Sequence, residues 1–165
     1  IERYVPPKKG RTHVLRVIRE LLYGRPLARG TDIRVAIDFA MRVFRKRSVM
    51  FLISDFMAGG YESHLRRAAQ KHDLVAIVVS DPRETTLPDV GLLELEDVES
   101  SRSMVVDTSD PRTRAAYAAR ARERRQERES LFRKLGIDAI DLSTDRPYDL
   151  PLIRFFAMRA RRARR

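Results

Sequence analysis

Two uninterrupted apolar runs, each closed by Ser-Asp, constrain the fold of this chain more than any other feature. Residues 49–53 have the sequence Val-Met-Phe-Leu-Ile, and residues 74–79 have the sequence Leu-Val-Ala-Ile-Val-Val. Short runs without polar alternation are typical of strands covered on both faces, as in parallel sheets. A helical segment opens after Gly59-Gly60 and ends near Lys71. The pattern therefore predicts a right-handed βαβ unit in an α/β fold.

Helix and strand signals alternate around this unit. Residues 1–5 look like the stub of a strand that Pro6-Pro7 stops. The other predicted elements are helices starting at Thr12 and at Thr31 or Asp32, a hairpin of strands 92–95 and 104–106, a helix over 112–135, a strand over 137–142 and a closing helix from Tyr148. This order predicts one three-layer, Rossmann-like domain over residues 1–165, with helices on both faces of a mostly parallel sheet.

Each of the first two helices is predicted to bury an apolar stripe, because apolar residues recur on one face at helical spacing. The first stripe contains Val14, Val17, Ile18, Leu21 and Leu22. The second stripe contains Ile33, Ala36, Ile37, Ala40, Val43 and Phe44. Both helices should therefore pack against the sheet.

The net charge of +11 is concentrated in two segments near the C-terminus. Residues 112–134 carry nine Arg or Lys and three Glu, and residues 154–165 carry six Arg and no acid. Such segments can bind phosphate backbones or anionic lipid. The favoured interpretation is a solvated helix followed by a frayed basic tail at 159–165. A nucleic-acid-binding module stays open as an alternative, although Tyr117 and Phe132 form no base-stacking platform.

Several classes of function lack their signatures. The chain has no cysteine, so it has no disulfide or thiolate metal site, and a cytoplasmic location is expected. No apolar run approaches the about 20 residues that span a bilayer. P-loop, dinucleotide-binding and nucleophile-elbow motifs do not occur. His13, His64 and His72 lack metal-ligand spacing and are expected at the surface or at helix ends. We therefore expect a protein that is not an enzyme and has no catalytic residue.

Oxygen ligands follow the two apolar runs. Asp55 comes after the first run and Asp81 after the second, and Thr31 precedes the helix that feeds the first. The carboxyl ends of parallel strands meet at one rim, so these side chains should lie at the same rim. Oxygen ligands without His or Cys suit Mg²⁺. The alternatives are that Thr31 and Asp55 cap helices and Asp81 makes a turn, or, less favoured, that Asp55 and Asp81 serve a Mg²⁺-dependent phosphoryl transfer.

Six segments in order resemble a bacterial family called "domain of unknown function 58", whose members contain a von Willebrand factor A-like fold. The segments are RYVPPKKGRTHVLRVIRELL, RGTDIRVAI, SVMFLISDF, KHDLVAIVVSDPRE, LPDVGLLELED and LSTDRPYDLPLIRFF. The resemblance covers nearly the whole chain. It implies a binding or scaffold module that works with a MoxR-type AAA+ ATPase in complex assembly or in chaperone-like roles.

The family's fold also implies a metal-ion-dependent adhesion site. Thr31 in GTD and Asp55 in SDF match its second and third elements, and Asp81 is a further candidate at the rim. The first element, Asp-x-Ser-x-Ser, does not occur in residues 1–165. The resemblance therefore implies the later portion of a longer protein that begins before Ile1. Mg²⁺ is expected in the intact protein, and no bound metal or other cofactor is expected in this chain.

The resemblance also places the 49–53 strand beside that missing first strand. Without its neighbour, the strand has an open edge of Val49, Met50, Phe51, Leu52 and Ile53, with no charge or proline to blunt it. We therefore expect self-association, by symmetric strand pairing or by exchange of residues 1–5 between copies.

Overall fold

The computed structural model describes residue 1 and residues 3–24, 31–97 and 102–162. Helices and strands alternate along the chain, as the sequence predicts. The helices are α1 (Arg11–Tyr23), α2 (Ile33–Val43), α3 (Glu62–Lys71), α4 (Pro111–Leu135) and α5 (Asp149–Arg162), with one 3-10 turn at Pro82–Glu84. The strands are β1 (Val49–Ser54), β2 (Asp73–Ser80), β3 (Leu92–Asp97), β4 (Arg102–Asp107) and β5 (Asp138–Ser143).

The main sheet has three parallel strands in the order β1-β2-β5. Val49 pairs with Asp73 across β1 and β2, and Val75 pairs with Asp138 across β2 and β5. The central strand β2 is a nearly continuous buried run, because both of its edges are paired and both of its faces are covered. The predicted βαβ unit, β1-α3-β2, and the α/β Rossmann-like class are confirmed.

Two apolar cores lie on opposite faces of β2, because successive side chains of a strand point to opposite faces. Leu74, Ala76 and Val78 pack with residues of α2, α3 and α4, among them Phe132. Val75 and Ile77 pack under α5 with Ile140 and Phe155. The sheet therefore forms the middle of three layers.

The first strand, β1, is covered on one face only, so the prediction of two covered faces was wrong for it. Met50 and Leu52 pack against the core beneath α2 and α3. On the opposite face Val49, Phe51 and Ile53 remain 56%, 42% and 64% exposed. This face is exposed because β1 lies at the edge of the sheet. Helix α5, which covers the same face, buries its core side chain against β2 and β5 instead.

The N-terminal region differs most from its prediction. Residues 1 and 3–9 form no strand; instead the ring of Tyr4 packs edge-on against Phe39, with 5.4 Å between the ring centres. Thr12 does not cap α1 as predicted, because it lies inside the helix. The N-cap position is occupied by Gly10, and no side chain caps the first turn. No residue of α1 is buried, so its apolar stripe does not face the core as predicted.

The second helix, α2, behaves more nearly as predicted. The carboxylate of Asp32 caps its first turn, while Ile33 and Ile37 are buried in the core. Two positions of the predicted inward stripe, Ala36 and Phe44, are exposed. They are exposed because the contacts of α2 are chiefly with α3, which leaves one side of the helix open.

The hairpin β3–β4 is confirmed and forms a separate two-stranded antiparallel sheet. Its connecting residues, 98–101, lie outside the described residues. Thr108 closes its base: the hydroxyl oxygen of Thr108 accepts from the N–H of Val90 at 3.0 Å and donates to the carbonyl of Gly91.

The two C-terminal helices end differently. Gly136 terminates α4 in the left-handed region, at φ 65°, as expected for a glycine at this position. Helix α5 continues regularly to Arg162, which differs from the expected fraying from residue 159, because carboxylates on β2 and β5 hold Arg159 in place. Residues 163–165 lie outside the described residues. No helix in the described ranges combines the length and apolar character needed to cross a bilayer.

Candidate functional site

The candidate site is the rim formed by the carboxyl ends of β1, β2 and β5. Asp55 follows β1, and its Oδ1 accepts the N–H of Met57 at 3.0 Å. Asp81 follows β2 and accepts the N–H of Arg83 at 2.9 Å and the hydroxyl of Thr144 at 2.8 Å. The bond from the Arg83 N–H, followed by the Thr144 hydroxyl, lowers the pKa of Asp81. Both carboxylates are thus held by local turns.

The backbone directly after Asp55 adopts an uncommon conformation. Phe56 is the only described non-glycine residue with positive φ, at 57°, a value that costs energy for a residue with a Cβ. Its N–H donates to the Ser54 hydroxyl at 3.0 Å. Its ring is buried against Tyr61 and Phe132, with centroid distances of 5.8 and 5.2 Å. This turn directs the Phe56 ring into the core and leaves Asp55 exposed.

The start of α2 brings a cation to the same region. Asp32, next to Thr31, accepts from Nε and Nη2 of Arg34 at 2.9 Å each. This fork lowers the pKa of Asp32 to about 2. The Arg34 guanidinium also lies beside Gly60. Its Nη1 is 3.8 Å from the position that the Cβ of a larger residue would occupy at Gly60. The first turn of α2 therefore borders the loop that follows β1.

A cleft of about 440 Å³ opens at the rim between the ends of β2 and β5 and one side of α4. Met57 and Asp81 line it together, which places the loops after β1 and β2 on one surface. The cleft also contains arginines that we did not predict as site residues: Arg124, Arg125, Arg128 and Arg146. The sequence did contain a signal for these arginines, namely the interruption of the apolar stripe in the middle of α4. A helix turn without apolar residues faces solvent or a cleft.

The donors at this rim do not fit a Mg²⁺ site by themselves. The carboxylates of Asp55 and Asp81 already accept backbone N–H bonds, and the Arg34 cation stands beside Asp32, next to Thr31. Within residues 3–24, 31–97 and 102–162, no three His, Cys, Asp or Glu side chains cluster as metal ligands would. Mg²⁺ usually keeps several waters and takes one or two free protein carboxylates, whereas each of the two candidate carboxylates at this rim is engaged in a turn.

The basic residues are divided between two faces of the sheet. Helix α4 packs with one core and α5 with the other. Arg125 is paired with Glu129 at 2.8 Å, and Arg159 is bound to the carboxylate of Asp73. Helices α4 and α5 therefore cover different faces of the sheet, and Arg125 and Arg159 are each paired with a carboxylate.

The histidines have different environments. His72 ends α3, as its position before a strand indicates, but it is buried rather than at the surface. Its Nδ1 accepts the N–H of Ser48 at 3.3 Å, whereas its Nε2 has no hydrogen-bond partner among the described residues. Burial, and to a lesser extent the nearby Lys71 charge, lowers the pKa of His72. His64 is partly exposed and lies 3.4 Å from a carboxylate oxygen of Asp38.

Three mycobacterial proteins that are similar to this chain are each described as uncharacterised. The chain is 37% identical over 164 residues to the uncharacterised protein Rv1480 of Mycobacterium tuberculosis and, equally, to Mb1516 of Mycobacterium bovis. Each alignment covers 96% of this chain and 51% of the relative, so the chain spans about half the length of these relatives. The uncharacterised protein MAV169 of Mycobacterium avium is 31% identical over 162 residues, covering 96% of this chain and 95% of the relative.

A search of solved structures found no match. The model of one family, described as protein of unknown function DUF58, matches residues 1–127. This match covers more than half of the chain and includes five of the six segments that carry the resemblance; the sixth, LSTDRPYDLPLIRFF, lies beyond residue 127. The chain belongs to the DUF58 family.

Proposed function

We propose that this chain is a non-enzymatic protein-binding module, in which α1 contacts the partner. The observation that carries the proposal is the exposed apolar side of α1. Ile18, Leu21 and Leu22 are 46%, 78% and 73% exposed. They recur at helical spacing and therefore share one face. A contiguous exposed apolar surface of this kind is typical of a protein interaction site.

Two ion pairs lie on the polar side of α1. Arg16 and Glu20 form an i,i+4 ion pair at 3.9 Å, and Arg3 pairs with the same Glu20. Both pairs use residues outside the apolar stripe. A preformed amphipathic helix of this type inserts its apolar face into a hydrophobic groove of its partner.

The proposed partner is a MoxR-type AAA+ ATPase, acting with this protein in complex assembly or in a chaperone-like role in the cytoplasm. The support is the resemblance to von Willebrand factor A-like members of the family. The proposal uses no metal, because the donors at the rim do not fit one. An adhesion-type site that includes Thr31 and Asp55 would need ligands from outside residues 1–165.

The test is a binding measurement with a purified MoxR-type AAA+ ATPase from the organism that encodes this chain. Leu21→Glu and Ile18→Glu place a charge on the apolar face, and we expect each to weaken binding at least about tenfold, as loss of a central interface anchor does. Thr12→Glu introduces the same charge on the polar face and should bind like the unchanged protein. All three variants should keep the unfolding temperature, since none of these side chains is buried.

Two results would contradict the proposal. One is the absence of binding to the ATPase at high concentration of both proteins. The other is equal binding by Leu21→Glu and Thr12→Glu, which would mean that the ATPase contacts a different surface.

A further inference from the structure

The rim cleft between β2, β5 and α4, which we call the arginine cleft, is lined by four guanidinium groups. Arg124, Arg125 and Arg128 belong to α4, and Arg146 belongs to the turn after β5. The volume of about 440 Å³ is in the usual range of sites for small molecules. In parallel α/β sheets, ligands bind outside the carboxyl ends of the strands, which is where this cleft lies.

The ion pairs inside the arginine cleft are long. Nη2 of Arg125 and Nη2 of Arg128 each lie 3.9 Å from a carboxylate oxygen of Asp141. Nε of Arg146 also lies 3.9 Å from a carboxylate oxygen of Asp145. These distances exceed that of a hydrogen bond. The two carboxylates therefore attract the guanidinium groups without accepting hydrogen bonds from these nitrogens.

Four carboxylates line the cleft as well: Asp81, Glu84, Asp141 and Asp145. Two of them take their hydrogen bonds from neutral donors. Asp81 accepts from the Thr144 hydroxyl and from a backbone N–H, and Asp145 accepts from the Ser143 hydroxyl. Residues 112–134, which contain the α4 wall, carry nine Arg or Lys and three Glu. The positive potential of this wall is therefore only partly balanced by the acids of the cleft.

Arg128 is the most enclosed of the four arginines. Its side chain is 14% exposed, whereas the other three residues are classed among the exposed ones. A guanidinium that is largely removed from water needs hydrogen-bond acceptors to offset its lost hydration. Asp141, at 3.9 Å, is too far away to be such an acceptor. An anion bound in the cleft would supply it.

The walls of the cleft are joined to each other. The loop after β5 is fixed to the end of β2, because Thr144 donates its hydroxyl to Asp81 at 2.8 Å and its N–H to the Ser80 carbonyl at 3.0 Å. On the α4 side, the hydroxyl of Tyr117 donates to the carbonyl of Arg83 at 3.0 Å. A site that is held in shape in this way loses little conformational freedom when a ligand binds.

We propose that the arginine cleft binds a small phosphate-bearing anion, with Arg125, Arg128 and Arg146 as donors to the phosphate oxygens. Guanidinium groups bind phosphate through paired N–H donors. A phosphate carries three strong acceptor oxygens, so α4 and the turn after β5 can donate to it together. A carboxylate has its two oxygens in one plane and resembles the Asp141 side chain that is already present.

Two sources share this chemistry, namely inorganic phosphate and a phosphate monoester of a small organic molecule. Apolar side chains line other parts of the cleft and favour the monoester, because they can contact its organic part. They are Met57, Pro82, Ala121, Leu142, Pro147 and Pro151. We therefore expect a monoester to bind more tightly than inorganic phosphate.

The phosphate site is independent of the proposed partner binding, since it uses no residue of α1. A failure of one proposal leaves the other standing. Variants of the arginine cleft report on phosphate binding, and variants of α1 report on ATPase binding.

The first experiment is an NMR titration of the isotope-labelled chain at constant ionic strength with inorganic phosphate, adenosine monophosphate and adenosine. We expect saturable shifts of amides in α4 and in the turn after β5 with both phosphate compounds, and no shifts with adenosine. Tighter binding of the monophosphate would identify a monoester as the ligand, and equal binding would identify free phosphate. The absence of saturable shifts with both compounds would overturn the proposal.

The second experiment removes single guanidinium groups. Arg128→Gln and Arg146→Gln should each weaken phosphate binding at least about tenfold, as loss of a charge-assisted hydrogen bond does. Arg122→Gln removes the same charge from α4 at a residue that does not line the cleft, and it should bind like the unchanged protein. Arg146 is exposed, so Arg146→Gln keeps the test valid if Arg128→Gln disturbs the fold.

The third experiment removes the internal carboxylate. Asp141→Asn should bind phosphate more tightly, because Asp141 competes with the ligand for Arg125 and Arg128. Glu127→Gln makes the same change of charge on α4 at a residue that does not line the cleft and should have little effect. If the pairs with Asp141 served only to hold the wall of the cleft, Asp141→Asn would weaken binding instead.

Two further results would overturn the proposal. One is equal weakening by Arg122→Gln and Arg128→Gln, which would show that phosphate responds to the general charge of α4. The other is tighter binding of a short DNA duplex that inorganic phosphate and adenosine monophosphate do not displace, together with the same loss in Arg122→Gln. That result would assign the arginines to a nucleic-acid surface.

Discussion

The guanidinium of Arg159 joins α5 to the first residue of β2 through the carboxylate of Asp73. It also lies 3.6 Å from Asp138, the first residue of β5, and 5.7 Å from the ring centre of Phe155. One side chain thus links the closing helix to the starts of two adjacent strands. The bond to Asp73 raises the pKa of Arg159, so the cation is present at every practical pH.

This relationship predicts unequal effects of neighbouring arginines. Arg159→Ala should lower the free energy of unfolding by about 1–2 kcal/mol, because it leaves two carboxylates without their shared cation. Arg161→Ala removes an exposed side chain of the same helix and should change the free energy of unfolding by less than about 0.5 kcal/mol. Urea denaturation of both variants checks the difference. Equal effects would show that Arg159 contributes no more than a solvated residue.

A second prediction concerns the titration of Asp32. Its fork with Arg34 lowers its pKa to about 2 from the usual 3.8. A carboxyl group with a lower pKa in the folded state stabilises the fold above pH 3.8 and loses this contribution as the pH falls from 3.8 towards 2. NMR titration should find the Asp32 midpoint near pH 2. In Arg34→Ala the midpoint should move up towards the usual value, whereas Arg42→Ala, at the other end of α2, should leave it unchanged.

A third prediction follows from the burial of His72, which is 1% exposed. Its pKa is lower in the folded state than the usual 6.5. As the pH falls below about 6.5, the unfolded chain therefore binds more protons than the folded chain, and the free energy of unfolding decreases. The free energy of unfolding should therefore be lower at pH 5.5 than at pH 7.5. His72→Asn retains an acceptor for Ser48 but cannot titrate, and should reduce this difference.

The control for His72 is His13→Asn, which changes a histidine outside the core. It should lose stability between pH 7.5 and 5.5 as the unchanged protein does. Urea denaturation at the two pH values measures the effect. An identical pH dependence for His72→Asn and the unchanged protein would refute the assignment of the effect to His72.

The fourth prediction concerns the turn at Phe56. Phe56→Ala should cost about 3–5 kcal/mol, because it removes a buried ring from between Tyr61 and Phe132 and leaves a cavity. Met57→Ala, one residue later and half exposed, should cost less than about 0.5 kcal/mol. Thermal unfolding of the two variants provides the measurement. A loss for Phe56→Ala as small as that for Met57→Ala would contradict the assignment of the Phe56 ring to the core.

The sequence was sufficient for features that depend on local pattern. The buried run that forms β2 and the glycine that ends α4 at Gly136 are dictated by hydrophobicity and backbone freedom within a few residues. The carboxylates Asp55 and Asp81 follow from the same reasoning, since each comes directly after a predicted strand. The structure places them after β1 and β2, at the same end of the parallel sheet.

Features that depend on distant partners could not be predicted in this way. The exposed stripe of α1 has the same periodicity as a buried one, because periodicity reports that a face is apolar and not what covers it. The ring of Phe56 packs against Phe132, which is 76 positions later in the sequence. Likewise, the position of Arg159 depends on Asp73, 86 positions earlier.

The closed base of the β3–β4 hairpin bears on how this fold can vary. Thr108 fastens the ends of the hairpin to each other through Val90 and Gly91, and the two strands pair only with each other in the described part of the chain. A unit whose ends meet can be lengthened, shortened or exchanged without altering the path of the chain on either side. A change in the length of this ribbon should therefore leave the paths of β2 and α4 unchanged.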